Sequence, residues 1–151
     1  MTSEELTKKL RAKAAKYCAL RERAPLEVSN KLEAWGAEPE DIEAVLLYLK
    51  DNNFLNEERY CRAYVLDKYR FNKWGKKKIS IYLKQKGLPE GEIEKGLSHI
   101  DSNEYAGIMN DLIDQKRRSL KDSLSDFEKK QKVIQYLLQK GFSYMEIEDQ
   151  L

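Results

Sequence analysis

The chain has 151 residues, of which 41% are hydrophobic and 36% charged; with only 3 Pro and 7 Gly this is a globular composition, which excludes collagen-like, linker and low-complexity classes. Its 28 Lys+Arg against 26 Asp+Glu leave a net charge of +2, so no uniformly basic coat exists and any electrostatic function must come from segregation of charge. One histidine (His99) and two cysteines (Cys18, Cys61) 43 positions apart exclude a zinc-ligand spacing and a disulfide framework, and free thiols suit a reducing compartment.

The N-terminus, Met-Thr-Ser-Glu-Glu-Leu, is acidic and lacks the apolar core of a signal peptide. No apolar run approaches the ~20 residues of a membrane span. The expectation is a soluble, cytoplasmic, monomeric chain.

The strongest signal is internal repetition. Gly36, Gly87 and Gly141 stand 51 and then 54 residues apart. Eight positions before each is a β-branched aliphatic (Val28, Ile79, Val133), and four before is a leucine (Leu32, Leu83, Leu137). Beyond each glycine come an acid (Asp41, Glu92, Glu146), an isoleucine (Ile42, Ile93, Ile147) and a glutamate (Glu43, Glu94, Glu148) at offsets five, six and seven. Six offsets shared by three copies define a tandem repeat.

Taken in chain order, the copies read as helices. Leu6 to Leu20 carries Leu6, Leu10, Ala14, Tyr17 and Cys18 on one stripe. Val28, Leu32 and Trp35 define a second helix closed by Gly36, and Ile42, Val45, Leu46 and Leu49 a third, with Pro39 suited to its first turn. The middle copy repeats this with Glu57–Tyr69, then Ile79 and Leu83 before Gly87, then Pro89 as a first-turn residue and Ile93, Leu97 and Ile100 on the last helix. The third copy has Glu104–Arg118, a loop over about Ser119–Asp126, a helix through Val133 and Leu137, and a Ser143/Glu146 capping box opening about two final turns. The fold class is therefore all-α, three tandem three-helix repeats at 1–53, 54–102 and 103–151. Units of ~50 residues are too small for deep cores of their own, so they should pack end to end into an elongated, curved molecule.

Chemistry of the catalytic kind finds no foothold. His99, between Ser98 and Ile100, reads as a surface or partly buried helix residue rather than a general base. Gly75-Lys76 lacks the flanking glycine and hydroxyl of a phosphate loop, and Gly87, Gly91 and Gly96 do not form a dinucleotide turn. The reading is a non-enzyme without metal or cofactor.

Charge segregation is more telling. From Lys68 to Lys86 there are eight cations (Lys68, Arg70, Lys73, Lys76, Lys77, Lys78, Lys84, Lys86) and no acid, interleaved with Tyr69, Phe71, Trp74 and Tyr82. Lysines attract phosphates or an acidic protein surface, and aromatics stack on bases or anchor an interface. Burial against Ile79 and Leu83 is the preferred reading for Phe71, and is left open for Trp74. Lys76, Lys77 and Lys78 spread over ~200° of helix circumference, so at least two are expected to face solvent. The stretch Glu38–Glu58, by contrast, holds seven acids against Lys50 alone. Alternating basic and acidic zones suit lengthwise docking on another polymer.

Several segments stand out together: Arg21-Glu22-Arg23, the run Phe54-Leu55-Asn56-Glu57-Glu58-Arg59-Tyr60-Cys61-Arg62-Ala63-Tyr64-Val65, Lys73-Trp74-Gly75-Lys76-Lys77-Lys78-Ile79 followed by Leu83 and Lys86-Gly87, then Lys116-Arg117-Arg118 and Gly141-Phe142-Ser143. In combination they resemble the RecX family, bacterial modulators of the RecA recombinase. The likeness covers about Lys16 to Leu151. It implies a regulator that lodges in the groove of the RecA–DNA filament and modulates, most simply inhibits, filament growth, ATP turnover, strand exchange and co-protease activity. DNA is a further partner to be expected through the basic middle repeat. The contact candidates are Lys68, Arg70, Lys73, Trp74, Lys76, Lys77, Lys78 and Lys84, with Arg59, Arg62, Lys116, Arg117 and Arg118 behind them. Without the resemblance, two other readings stand: a helical module acting on nucleic acid directly, and an α-repeat adaptor for an acidic protein.

Overall fold

A computed structural model describes residues 2–151; Met1, which opens the first expected unit, lies outside the described residues. These form nine helices and no strand: α1 Ser3–Leu20, α2 Pro25–Ala34, α3 Pro39–Asp51, α4 Glu57–Arg70, α5 Lys76–Gln85, α6 Glu90–Leu97, α7 Ser102–Ser119, α8 Asp126–Gln139 and α9 Tyr144–Gln150. The main helix-to-helix packing falls within the triplets α1–α3, α4–α6 and α7–α9.

Local chemistry sets the boundaries. Thr2 with Glu5, Ser125 with Glu128 and Ser143 with Glu146 form reciprocal capping boxes that satisfy amide donors at the starts of α1, α8 and α9. Asn56 and Asp101 cap α4 and α7 with their side chains. Pro39 sits in the first turn of α3 as expected, whereas Pro89 occupies the extended position just before α6. That helix also ends earlier than the periodicity suggests: Ile100 is buried beyond it, and His99 lies exposed in the turn after α6 rather than on a helix.

The repeat glycines end α2, α5 and α8 in the same way. Gly36, Gly87 and Gly141 adopt φ of 86°, 85° and 98°, a left-handed conformation that other residues enter at a cost. The next residue then donates its amide back to the repeat leucine: Ala37 to Leu32, Leu88 to Leu83 and Phe142 to Leu137, at 3.0–3.1 Å. Those leucines, with Val28, Ile79 and Val133, are fully buried, each side chain contributing about 2 kcal/mol relative to exposure.

Two apolar clusters result. One fills the first triplet around Leu10, Ala14, Val28, Leu32, Val45 and Leu49. The other runs unbroken through the second and third triplets, from Val65, Ile79 and Leu83 to Met109, Leu137 and Ile147. Ala24 crosses into the second cluster and Leu55 into the first, which ties the two together. The surface amounts to 9490 Å², about a fifth more than the ~8,000 Å² that a compact chain of this mass exposes. Units in series leave their flanks uncovered, and the molecule is elongated.

Candidate functional site

The basic window maps onto the end of α4, the turn after it and α5, and the structure sorts its cations into three groups. Arg70 donates from Nε to Glu104 Oε1 at 2.8 Å, and Lys84 pairs with Glu90 at 3.5 Å. Both are partly neutralised by acids from outside the window. The hydrogen bond with Arg70 holds the Glu104 carboxyl below its ordinary value and raises the guanidinium.

The second group lies over aromatic rings. Trp74 and Tyr82 pack at 4.9 Å between centroids. Lys68 Nζ stands 5.2 Å from the Trp74 ring and 5.3 Å from that of Tyr64, and Lys78 Nζ stands 4.7 Å from Trp74. Lys86 Nζ also stands 5.9 Å from the Tyr64 ring. This is a basic aromatic face built by α4 and α5, with Tyr82 exposed and Trp74 and Tyr64 half-buried. Burial, with Tyr82 and Asp67 adding, pushes the Tyr64 phenol above its ordinary value. Lys78 and Lys86 are held by ring quadrupoles, which leaves their charge available to a ligand, whereas Lys68 also pairs with Asp67 at 3.8 Å.

The third group lies at the joint with α7–α9. Lys76 Nζ sits over Tyr105 at 4.9 Å, and Lys73, itself at φ 60°, donates from Nζ to the Arg70 carbonyl. Of the three consecutive lysines only Lys77 is fully exposed; Lys76 and Lys78 are half-buried. The expectation that two or more face solvent holds in full only at Lys77, because the Lys76 and Lys78 ammonium groups lie over the Tyr105 and Trp74 rings. All three also open a helix with no acid in its first turn, against the favourable direction of the helix dipole. A locally unfavourable arrangement of this kind points to function.

Phe71 overturns its expected burial: it is 79% exposed and leaves the core to Tyr69. The secondary candidates divide as well. Arg59 is committed to structure, bonding Glu22 and the carbonyls of Asn53 and Phe54. Arg62 is exposed on α4. Lys116, over Tyr136 at 5.2 Å, and exposed Arg117 and Arg118 end α7, where they complement its dipole. Cys61 is fully buried, and burial pushes its thiol up to about 12.

Two features escaped the sequence reading. Tyr64 belongs to the basic face, signalled only by its i,i+4 spacing to Lys68. Gly75 and Gly141 meet at the joint below that face, and neither has a local signal for the encounter. There the Gly75 amide donates to the Lys140 carbonyl at 2.8 Å, Lys77 to the Gly141 carbonyl at 3.1 Å, and Lys76 to the Tyr105 hydroxyl at 3.0 Å. The third triplet thus caps α5, which has no capping side chain of its own.

Residues 56–97 match the second three-helix domain of RecX and residues 108–149 the third. The regulatory protein RecX of Herbaspirillum seropedicae is 31% identical over 140 residues, covering 93% of this chain and 87% of that one. The chain belongs to the RecX family. The family's regulatory protein from Clostridium perfringens strain SM101 is 34% identical over 119 residues, 78% of this chain but 55% of that protein, so the chain matches about half the length of its clostridial relative. The crystal structure of RecX from Lactobacillus salivarius superposes with a TM-score of 0.88 at 25% identity, covering 95% of this chain and 92% of that one. A second crystal structure of regulatory protein RecX, at 24% identity and a TM-score of 0.81, shares the fold. Among the described residues no helix is long and apolar enough to cross a membrane.

Proposed function

We propose that this chain is a regulator acting by binding, without catalysis, and that its target is the RecA recombinase assembled on DNA. Membership of the RecX family carries the reading, and the basic aromatic face supports it. In this reading the three repeats, 1–53, 54–102 and 103–151, lie along the filament groove in the cytoplasm. Lys68, Lys77, Lys78 and Trp74 supply the central contact, with Lys73, Lys76, Arg70 and Lys84 at its edge. Occupying the groove would restrain filament growth, and with it ATP turnover, strand exchange and co-protease activity. The mechanism is steric and electrostatic: an elongated body spans successive protomers while the face engages acidic protein or DNA backbone.

Direct contact with DNA is a second reading, favoured by the packed rings of Trp74 and Tyr82 with Lys68 and Lys78 over Trp74, the pairing of aromatic and cation that binders of single strands use. Titration against DNA alone, RecA alone and the RecA–DNA filament separates the readings. Saturable binding to RecA or the filament, well above that to bare DNA, is the expected outcome. Equal affinity for DNA alone would transfer the function to nucleic-acid binding, and no binding to any of the three would remove both.

A further inference from the structure

A groove of ≈ 360 Å³ crosses the joint between the second and third triplets, lined by Ile81, Tyr82, Leu138 and Phe142 with Lys77 and Lys78. Ile81, Tyr82 and Leu138 are exposed there, three large apolar side chains in one concavity rather than scattered singly. Its walls come from α5 and α8, whose relative position is set by the backbone contact of Gly75 with Gly141, so the groove is formed before anything enters it. Two lysines and no acid line it. An occupant must bring an apolar anchor and negative charge together.

The chain presents such a surface elsewhere. On α3, Glu40, Glu43, Leu47 and Asp51 follow at spacings of three, four and four and therefore share one helix face. All four are exposed, and Leu47, the apolar member, is 61% exposed. A nucleic-acid strand would satisfy the lysines but offers no aliphatic group for Ile81 and Leu138; the α3 face offers a leucine between acids. At a net charge of +2, copies of the chain do not repel one another as wholes.

We propose that the groove across the second joint receives the acidic α3 face of a second copy of this chain. Groove and face are different surfaces, so the contact is heterologous and propagates head to tail. The dilute chain is monomeric and association appears on concentration. Assembly covers Lys77 and Lys78, and if those lysines also serve the target, as the reading above holds, the two uses compete.

Sedimentation velocity on the chain alone tests this. The average mass of wild type rises between micromolar and millimolar concentration, and raising salt from low to molar weakens association roughly tenfold or more as the facing charges are screened. Leu47→Glu stays monomeric, and so does the double variant Lys77→Glu/Lys78→Glu. An equimolar mixture of the two forms heterodimers and stops there, because each variant keeps one intact surface. Circular dichroism checks that the variants fold; Ile81→Glu is the substitute groove variant if the lysine pair does not. Wild type that remains monomeric at millimolar concentration overturns the proposal. So does a mixture that fails to pair, or one variant that still self-associates, which would indicate a symmetric contact. No other protein is present, so failure here leaves the RecA reading standing, and failure there leaves this one.

Discussion

The backbones of Gly75 and Gly141 touch across 66 residues of sequence: a Cβ on Gly75 would lie 2.3 Å from the carbonyl carbon and oxygen of Gly141, and one on Gly141 would lie 2.2 Å from Lys78 Cβ. Because the obstruction at Gly75 is backbone, no side-chain rotation relieves it. The second and third triplets are therefore locked by the absence of two side chains.

Alanine at either position is expected to cost about 3 kcal/mol or more, the upper range for overpacking. Gly36→Ala is the control. It has the left-handed backbone of Gly141, whereas Gly75 is extended at φ −76°, but a Cβ at Gly36 meets nothing within 4 Å, so only the conformational penalty of about 1–2 kcal/mol applies. Urea titration of the three variants ranks them; equal losses at all three would show that the interlock contributes nothing.

Leu32→Ala and Leu83→Ala each remove a fully buried side chain four positions before a capping glycine. Losses of roughly 2–5 kcal/mol are expected from lost transfer energy and the cavity left behind. Phe71→Ala, at an exposed site, should stay within about 0.5 kcal/mol of wild type. Denaturant midpoints at constant m-value measure all three.

Replacing Lys76, Lys77 and Lys78 together by Gln should leave the melting temperature nearly unchanged. Two cation–π contacts are lost, worth about 0.5–1 kcal/mol each at partly exposed sites, while three cations leave the N-terminus of α5, where each is unfavourable by about 0.3–1 kcal/mol. The two effects offset. Binding to the target should weaken, and if phosphates are contacted the salt dependence should flatten by up to ~0.9 logarithmic units per lost contact. Unaltered affinity and slope would make this a solvated face only.

Glu104 on α7 and Arg70 on α4 link the second and third triplets at the surface. The hydrogen bond from Arg70 lowers the Glu104 carboxyl in the folded chain, so the group stabilises the fold above its unfolded value near pH 4.3. That contribution is lost as pH falls through the lower, folded value. Glu104→Gln should be slightly less stable than wild type at neutral pH, by little because the pair is exposed, and should show a shallower loss on acidification, so that the two converge at low pH. Unfolding free energy followed from pH 7 to pH 3 for both proteins tests it, and parallel acid limbs would break the assignment.

The repeat, its leucines and its closing glycines were legible in the chain itself because helix periodicity and capping are decided within a few residues. Leu32 and Gly36 announce each other four positions apart, and Ser143 and Glu146 three apart. The pairing of Gly75 with Gly141 had no such signal, since each glycine reads locally as an ordinary turn. The local environments of the lysine window had no such signal either. Its eight cations share one acid-free stretch of sequence, but Glu104 arrives from the next triplet to take Arg70, Tyr105 lies under the Lys76 ammonium, and Trp74 lies under those of Lys68 and Lys78. Phe71 carries the hydrophobicity of a core residue, but it stands just past the end of α4, where the turn carries it outward, while Tyr69 stays on the buried face of α4 with Cys61 and Val65. Local sequence specifies which face of each helix is apolar; which partners meet a charge or a missing side chain depends on how whole units are placed against one another, and that is decided only when they pack.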